Sequence, residues 1–294
     1  MADEVTPSIA TAVATTVFIW ASAFVAIRAA LRGGYGPLQL ATLRYATASV
    51  VLVIWSMFSG MRVPERHDWP RLTICSVVGL VLYAVLVNTG EIRVNAGMAS
   101  FVISTVPIFT AVFAALFTAE RMHRLGWLGL AISLSGTALL SFRAGSKFGF
   151  ETSVLILIAA AIAQATQFVM QKPLVMRYGA LSVTSWSIWI ATACLSPFSP
   201  ATVRSIRTAT ATATSAVIYL GVASTVIGYA AWAYATARIP VARITAFLYC
   251  VPPIATLIGW LTLGEQPTLL GLVGGAIAIS GVALVNVRRR RRSP

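Results

Sequence analysis

The sequence is short of what a water-soluble globule needs on its surface. Only 10% of its 294 residues are charged, and just 8 are Asp or Glu, where an ordinary soluble domain carries about 25% charge. With 58% hydrophobic residues and a mean hydropathy of +0.83, too little polar surface remains to cover a globule in water. Lipid is the solvent that such a chain requires. Three cysteines, Cys75, Cys194 and Cys250, lie inside apolar stretches without pairing or metal-ligand spacing, and read as small buried hydrophobes. The two histidines, His67 and His123, sit in separate connectors, so no metal site is expected. No Gly-rich phosphate loop ends in Lys-Ser/Thr, which leaves an ATP-driven pump unsupported. Charged rings and filter sequences of ion channels are also missing. No Asp or Glu lies clearly inside an apolar stretch. A membrane-embedded enzyme would need such a constellation, and the lack of a buried acid also weakens the case for proton coupling. Nothing calls for a cofactor. The start, Met1-Ala2-Asp3-Glu4, is acidic where a removable signal needs a positive n-region, so the first apolar stretch is expected to be retained.

What the sequence does hold is a series of charge-poor stretches: 9–31, 37–58, 70–90, 95–118, 124–142, 153–174, 181–198, 213–236, 242–264 and 268–287. Runs of this length span a bilayer as helices, because barrel strands would alternate over about 10 residues. The expectation is an all-α integral membrane protein of ten transmembrane helices. The net charge is +14, but no basic, aromatic-interleaved soluble face accompanies it, so nucleic acid is not an expected partner. Basic residues instead follow the connectors. With the N-terminus cytoplasmic, the inner connectors hold Arg62, Arg66, Arg71, Arg121, Arg124, Lys172, Arg177, Arg238 and Arg243, and the tail adds Arg288 to Arg292. The outer side holds Arg28, Arg32, Arg93, Arg143, Lys147, Arg204 and Arg207. This bias places both termini inside a bacterial inner membrane, with the tail touching anionic lipid.

The chain repeats itself. Ala96 to Leu139 compares with Val241 to Leu284 at an offset of 145. Ser100 then matches Thr245, Pro107 matches Pro252, Glu120 matches Glu265, and Gly126, Gly129, Ser135 and Gly136 match Gly271, Gly274, Ser280 and Gly281. Earlier in each half, Phe24 matches Phe168 and Arg28 matches Lys172 at an offset of 144. Two units follow, 1–149 and 150–294, the second with the basic tail. Each holds five spans, an odd number, so the second enters from the opposite side. Inverted repeats are typical of secondary transporters that bind cargo near the midplane.

These features resemble the drug/metabolite transporter superfamily, EamA branch. The resemblance rests on Ala96 to Glu120 and its copy Val241 to Glu265, the two glycine-rich fifth helices, Trp20-Ala21-Ser22-Ala23-Phe24 and Leu43-Arg44-Tyr45-Ala46. It implies a basket of ten helices around a cavity formed by helices 1, 3, 4, 6, 8 and 9. Members export amino acids and related metabolites, the YddG-type exporters among them.

Polar side chains within spans tend to face the bundle interior. Thr16 and Trp20 share a stripe on helix 1, and Gln164 and Gln167 share the matching stripe on helix 6. Both glutamines are candidates for a wet cavity or for bonds between helices. Ser100, Ser104 and Pro107 align on helix 4, and Tyr249 and Pro252 align on helix 9. Pro107, Pro252 and Pro253 bend their helices, either as hinges or as fixed kinks. Tyr83, Asn88, Tyr229 and Trp232 offer aromatic faces and hydrogen-bond groups for a small metabolite. Trp186 suits either the cavity or an interfacial belt, where Trp55 and Trp260 belong. Arg44, the one charge deep in a span, is a possible carboxylate partner or a structural residue. Glu120 and Glu265 read as helix caps. Gly271 and Gly275 stand in GxxxG spacing, which makes helices 5 and 10 scaffold or a dimer surface; monomer and weak homodimer both fit.

The expected cargo is a small neutral or zwitterionic molecule, with export of aromatic or neutral amino acids such as threonine and methionine as the leading reading. Another metabolite or drug, or a phosphorylated or nucleotide-sugar cargo, is the alternative. The last would need several deep basic residues, and only Arg44 is deep. An embedded enzyme, receptor or scaffold is the reading from another class.

Overall fold

The computed structural model describes residues 6–93, 96–118, 122–141, 152–263 and 269–286. The expected caps Glu120 and Glu265 and the arginine tail lie outside them. Every element among the described residues is helical. In chain order they are α1 (Pro7–Arg32), α2 (Pro37–Phe58), α3 (Arg66–Gly90), α4 in two pieces (Ala96–Ile103 and Val106–Phe117), α5 (Arg124–Ser141), α6 (Thr152–Tyr178), α7 (Ala180–Thr208), α8 (Ala211–Thr236), α9 (241–263) and α10 (Leu269–Asn286). Eight of them, α1–α4 and α6–α9, are long and apolar enough to cross a membrane, and α10 has a shorter apolar stretch, Leu272–Val285.

Local chemistry sets the boundaries. Pro7 and Pro37 open α1 and α2 in the first turn, where a missing N–H costs nothing. Gly34 and Gly179 take the left-handed conformations, φ +112° and +88°, that reverse the chain after α1 and α6. The reading that ended helix 7 at 198 fell short. Its α-helix stops at Leu195, turns through Ser196–Phe198 and resumes as Ser199–Thr208. Cysteine burial also differs: Cys75 is buried, but Cys194 is exposed. Large apolar side chains such as Met57, Phe58, Leu116 and Phe117 lie outside the packed core, which lipid tolerates and water does not.

Interruptions of the helices come in corresponding pairs. α3 widens into a π-helix at Val77–Leu82, and α8 does so at Leu220–Ile227. α4 breaks between Ile103 and Val106, just before Pro107, and α9 tightens into a 3₁₀-helix at Thr245–Cys250, just before Pro252-Pro253. Packing is paired too. α1 lies on α8 and α9, α6 on α3 and α4, α2 on α7, and α5 on α10. Exchanging each helix with the one five places along returns the same set. At one end of the bundle the Thr210 N–H donates to the Gly33 carbonyl at 3.0 Å, and Asn88 Nδ2 donates to the Pro37 carbonyl at 3.0 Å. At the other end Arg177 pairs with Asp68 at 3.0 Å, and Lys172 Nζ donates to the Ile239 carbonyl at 3.1 Å.

Candidate functional site

A cavity opens between α1, α3, α4, α6, α8 and α9, and Arg44 of α2 joins its wall. About 60 Å³ of it is open to the centres of water molecules, several times the roughly 10–15 Å³ that one water needs. Trp20, Phe24 and Ile27 enter from α1, Tyr83 and Asn88 from α3, Ser100 and Ser104 from α4, Gln164 and Phe168 from α6, and Ser224 and Tyr229 from α8. The wall is thus apolar and aromatic, with a few placed polar groups.

The π-helix of α8 positions the polar side. Its wide turn lets Thr225 Oγ1 donate to the Leu220 carbonyl five residues back at 2.9 Å. Arg44 reaches across from α2 and donates from Nε to Thr225 Oγ1 at 2.7 Å and from Nη2 to Ser224 Oγ at 3.2 Å. The Ser224 carbonyl accepts from Trp20 Nε1 at 3.2 Å. Gly221 allows α2 this close, since a Cβ there would lie 2.8 Å from the Arg44 carbonyl. Arg44 is 5% exposed and turned inward onto α8. Its Nη1 has no partner among the described residues and remains available to an anion.

One boundary of the cavity is aromatic. The Trp20 and Phe168 rings lie parallel with centroids 6.1 Å apart, and Trp232 packs against both at 5.3 and 5.0 Å. Tyr229 leans on Trp20 at 5.2 Å and donates to Gln164 Oε1 at 3.3 Å.

Of the residues singled out from the sequence, Trp20, Tyr83, Asn88, Ser100, Ser104, Gln164, Tyr229 and Arg44 meet at this cavity. The others do not line it. Thr16 is buried between α1 and α8, where it donates to the Gly228 carbonyl at 3.3 Å. Gln167 bridges Gln164 and Gln171, at 2.6 and 3.2 Å, and packs where Gly79 leaves no room for a Cβ. Trp232 lies behind the Trp20 and Phe168 rings, and Tyr249 is buried in the 3₁₀ segment of α9 with no partner for its hydroxyl among the described residues. Trp186 sits at the opposite end of the bundle. Its Nε1 donates to the Arg62 carbonyl at 3.2 Å, and its ring packs on Trp69 and Trp189. Pro107 starts the second piece of α4 just past the cavity residue Ser104, while Pro252 and Pro253 sit in the first turn of the α-helical piece of α9.

Sequence reasoning missed three residues. Ser224 and Thr225 carry no signal in a run of apolar neighbours, because only the π turn aims them at Arg44. Glu91 falls between the apolar stretches 70–90 and 95–118 and was not singled out. It is 4% exposed, one residue past α3, and neither carboxyl oxygen has a hydrogen-bond partner among the described residues. Asn88, three residues earlier, has an equally unpartnered Oδ1. Its spacing from Glu91 was the available clue.

Comparison with known proteins adds a family to this geometry. Residues 7–142 and 151–287 each match the EamA-like transporter family. A protein of Streptantibioticus cattleyicolor named "Probable terminal-alkyne amino-acid exporter" is 42% identical over 96% of this chain and 95% of its own. Bacillus subtilis "Uncharacterized transporter YdfC" is 36% identical over 92% of this chain and 88% of its own. A solved structure described as "Crystal structure of protein" superposes with a TM-score of 0.76 at 19% identity, over 94% of this chain and 96% of that one, and so shares the fold.

Proposed function

The chain belongs to the EamA-like transporter family, and from that membership we propose that it exports aromatic or neutral amino acids by alternating access around the cavity. The observation that carries the cargo class is the cavity wall. The free Arg44 Nη1 donor suits a carboxylate, the unpartnered Asn88 Oδ1 suits an ammonium, and Trp20, Phe24 and Phe168 suit an apolar side chain. The name of the Streptantibioticus relative supports an amino acid. Ten spans in two inverted units, 1–149 and 150–294, are our reading of the paired interruptions, the exchange-symmetric packing and the twofold family match. An inner-membrane location with both termini cytoplasmic follows from the distribution of Arg and Lys.

Counterflow of labelled leucine, methionine, threonine and aromatic amino acids into proteoliposomes tests the reading. Saturable uptake of at least one supports it. Absence of uptake for all of them rejects the amino-acid assignment.

A further inference from the structure

Glu91 stands out once the transport cavity is set aside. It closes the last turn of α3 at the end of the bundle that holds Gly33 and Pro37, and it is almost fully enclosed. A buried carboxylate without a hydrogen-bond donor is costly, so this enclosure suits the neutral acid. Among the described residues, the charged or titratable groups acting on it are Arg28 on α1 and Tyr83 on its own helix. On the neighbouring helices, the Pro37 carbonyl of α2 accepts from Asn88, and Leu157 of α6 packs against Gly90. Arg28 is half-buried and makes no hydrogen bond or ion pair among the described residues. An acid without donors and a guanidinium without acceptors therefore lie within each other's field but are not joined. One turn below, Asn88 and Ile27 form this end of the cavity.

We propose that Glu91 is a proton-binding site of the transport cycle, neutral while this end of the cavity is closed and ionised beside Arg28 when it opens. Opening admits water, the carboxyl O–H proton passes to that water, and the carboxylate takes Arg28 as its counter-ion. Closure reverses the transfer. The inference rests on the cavity being the transport path, and is independent of the cargo. It also reverses the expectation that no buried acid is present to bind a proton.

The sign follows from linkage. The closed state holds the proton, so acid favours closure and opening becomes easier as pH rises. Glu91→Gln mimics the protonated acid and holds this end closed at every pH.

A cargo-free test uses a cysteine-free protein carrying Ser104→Cys on the cavity wall, labelled on intact spheroplasts with an impermeant maleimide that reaches only the end of the bundle holding Glu91, and corrected for thiol ionisation with a free cysteine peptide. Labelling is expected to slow as pH falls, by up to about tenfold per unit, the limit for one proton. Glu91→Gln should give slow, pH-independent labelling, and Glu91→Asp should restore the dependence. Corrected labelling that ignores pH, or a Glu91→Gln protein that keeps the dependence, overturns the proposal. If no amino acid moves in counterflow while labelling still follows Glu91, the cargo assignment falls and the proton site stands.

Discussion

A guanidinium inside an apolar bundle must reach water or find acceptors within the protein. Arg44 finds the hydroxyls of Ser224 and Thr225, which fix its head at the cavity wall and leave Nη1 without a partner among the described residues. That arrangement makes the residue positional as well as charged. Arg44→Ala is expected to raise the half-saturating amino-acid concentration at least tenfold, in keeping with about 1.5–3 kcal/mol for a charged hydrogen bond. Arg44→Lys should recover only part of it, because an ammonium cannot make the same fork. The diagnostic measurement is competition by amino acid against its carboxamide. The native protein should prefer the acid, and Arg44→Ala should lose that preference. An unchanged preference would assign Arg44 to structure alone. At this scale the sequence was partly legible. Arg44, Trp20, Asn88 and Gln164 announce themselves as polar or amphipathic groups at helical spacing. Trp186 shows the same chemistry but belongs to the far end of the bundle, a difference that composition cannot express.

Among the elements, α5 and α10 form the tightest pair, and small residues are the reason. Ser133 Oγ donates to the Ala278 carbonyl at 2.9 Å. A Cβ at Gly136 would lie 2.4 Å from the Ala278 nitrogen and 2.6 Å from the Gly274 carbonyl oxygen. Both are backbone atoms, which cannot swing aside as a side chain can. Gly136→Leu should therefore push the helices apart at a cost of about 1–3 kcal/mol or more, lowering the thermal midpoint in detergent. Gly60→Ala, where nothing lies within 4 Å, is the control and should melt like the native protein. Equal midpoints would refute the packing account. The glycine pattern of these helices was readable in advance because its cause is local to each helix surface. The π stretches of α3 and α8 were not. Each contains a glycine, Gly79 or Gly221, against which another helix packs closely, and that neighbour is distant in sequence.

For the whole molecule, the proposed inverted architecture makes the two ends of the bundle the two sides of the membrane. Gly60 follows α2 at the end with the Arg177–Asp68 pair, whereas Thr208 ends α7 near Gly33. In a cysteine-free background, Thr208→Cys should react with an impermeant maleimide on intact spheroplasts. Gly60→Cys should react only after permeabilisation. Reaction of both from one side would overturn the topology, and with it the alternating-access reading.

The sequence by itself determined the solvent, the helices and the repetition, because long apolar runs and a sustained offset are properties of the chain read in one dimension. Only the tertiary structure decided which polar residues meet. Burial of Glu91 and capture of Arg44 depend on helices far apart in the chain arriving at one place. A residue's own spacing does not say which distant helix it will meet.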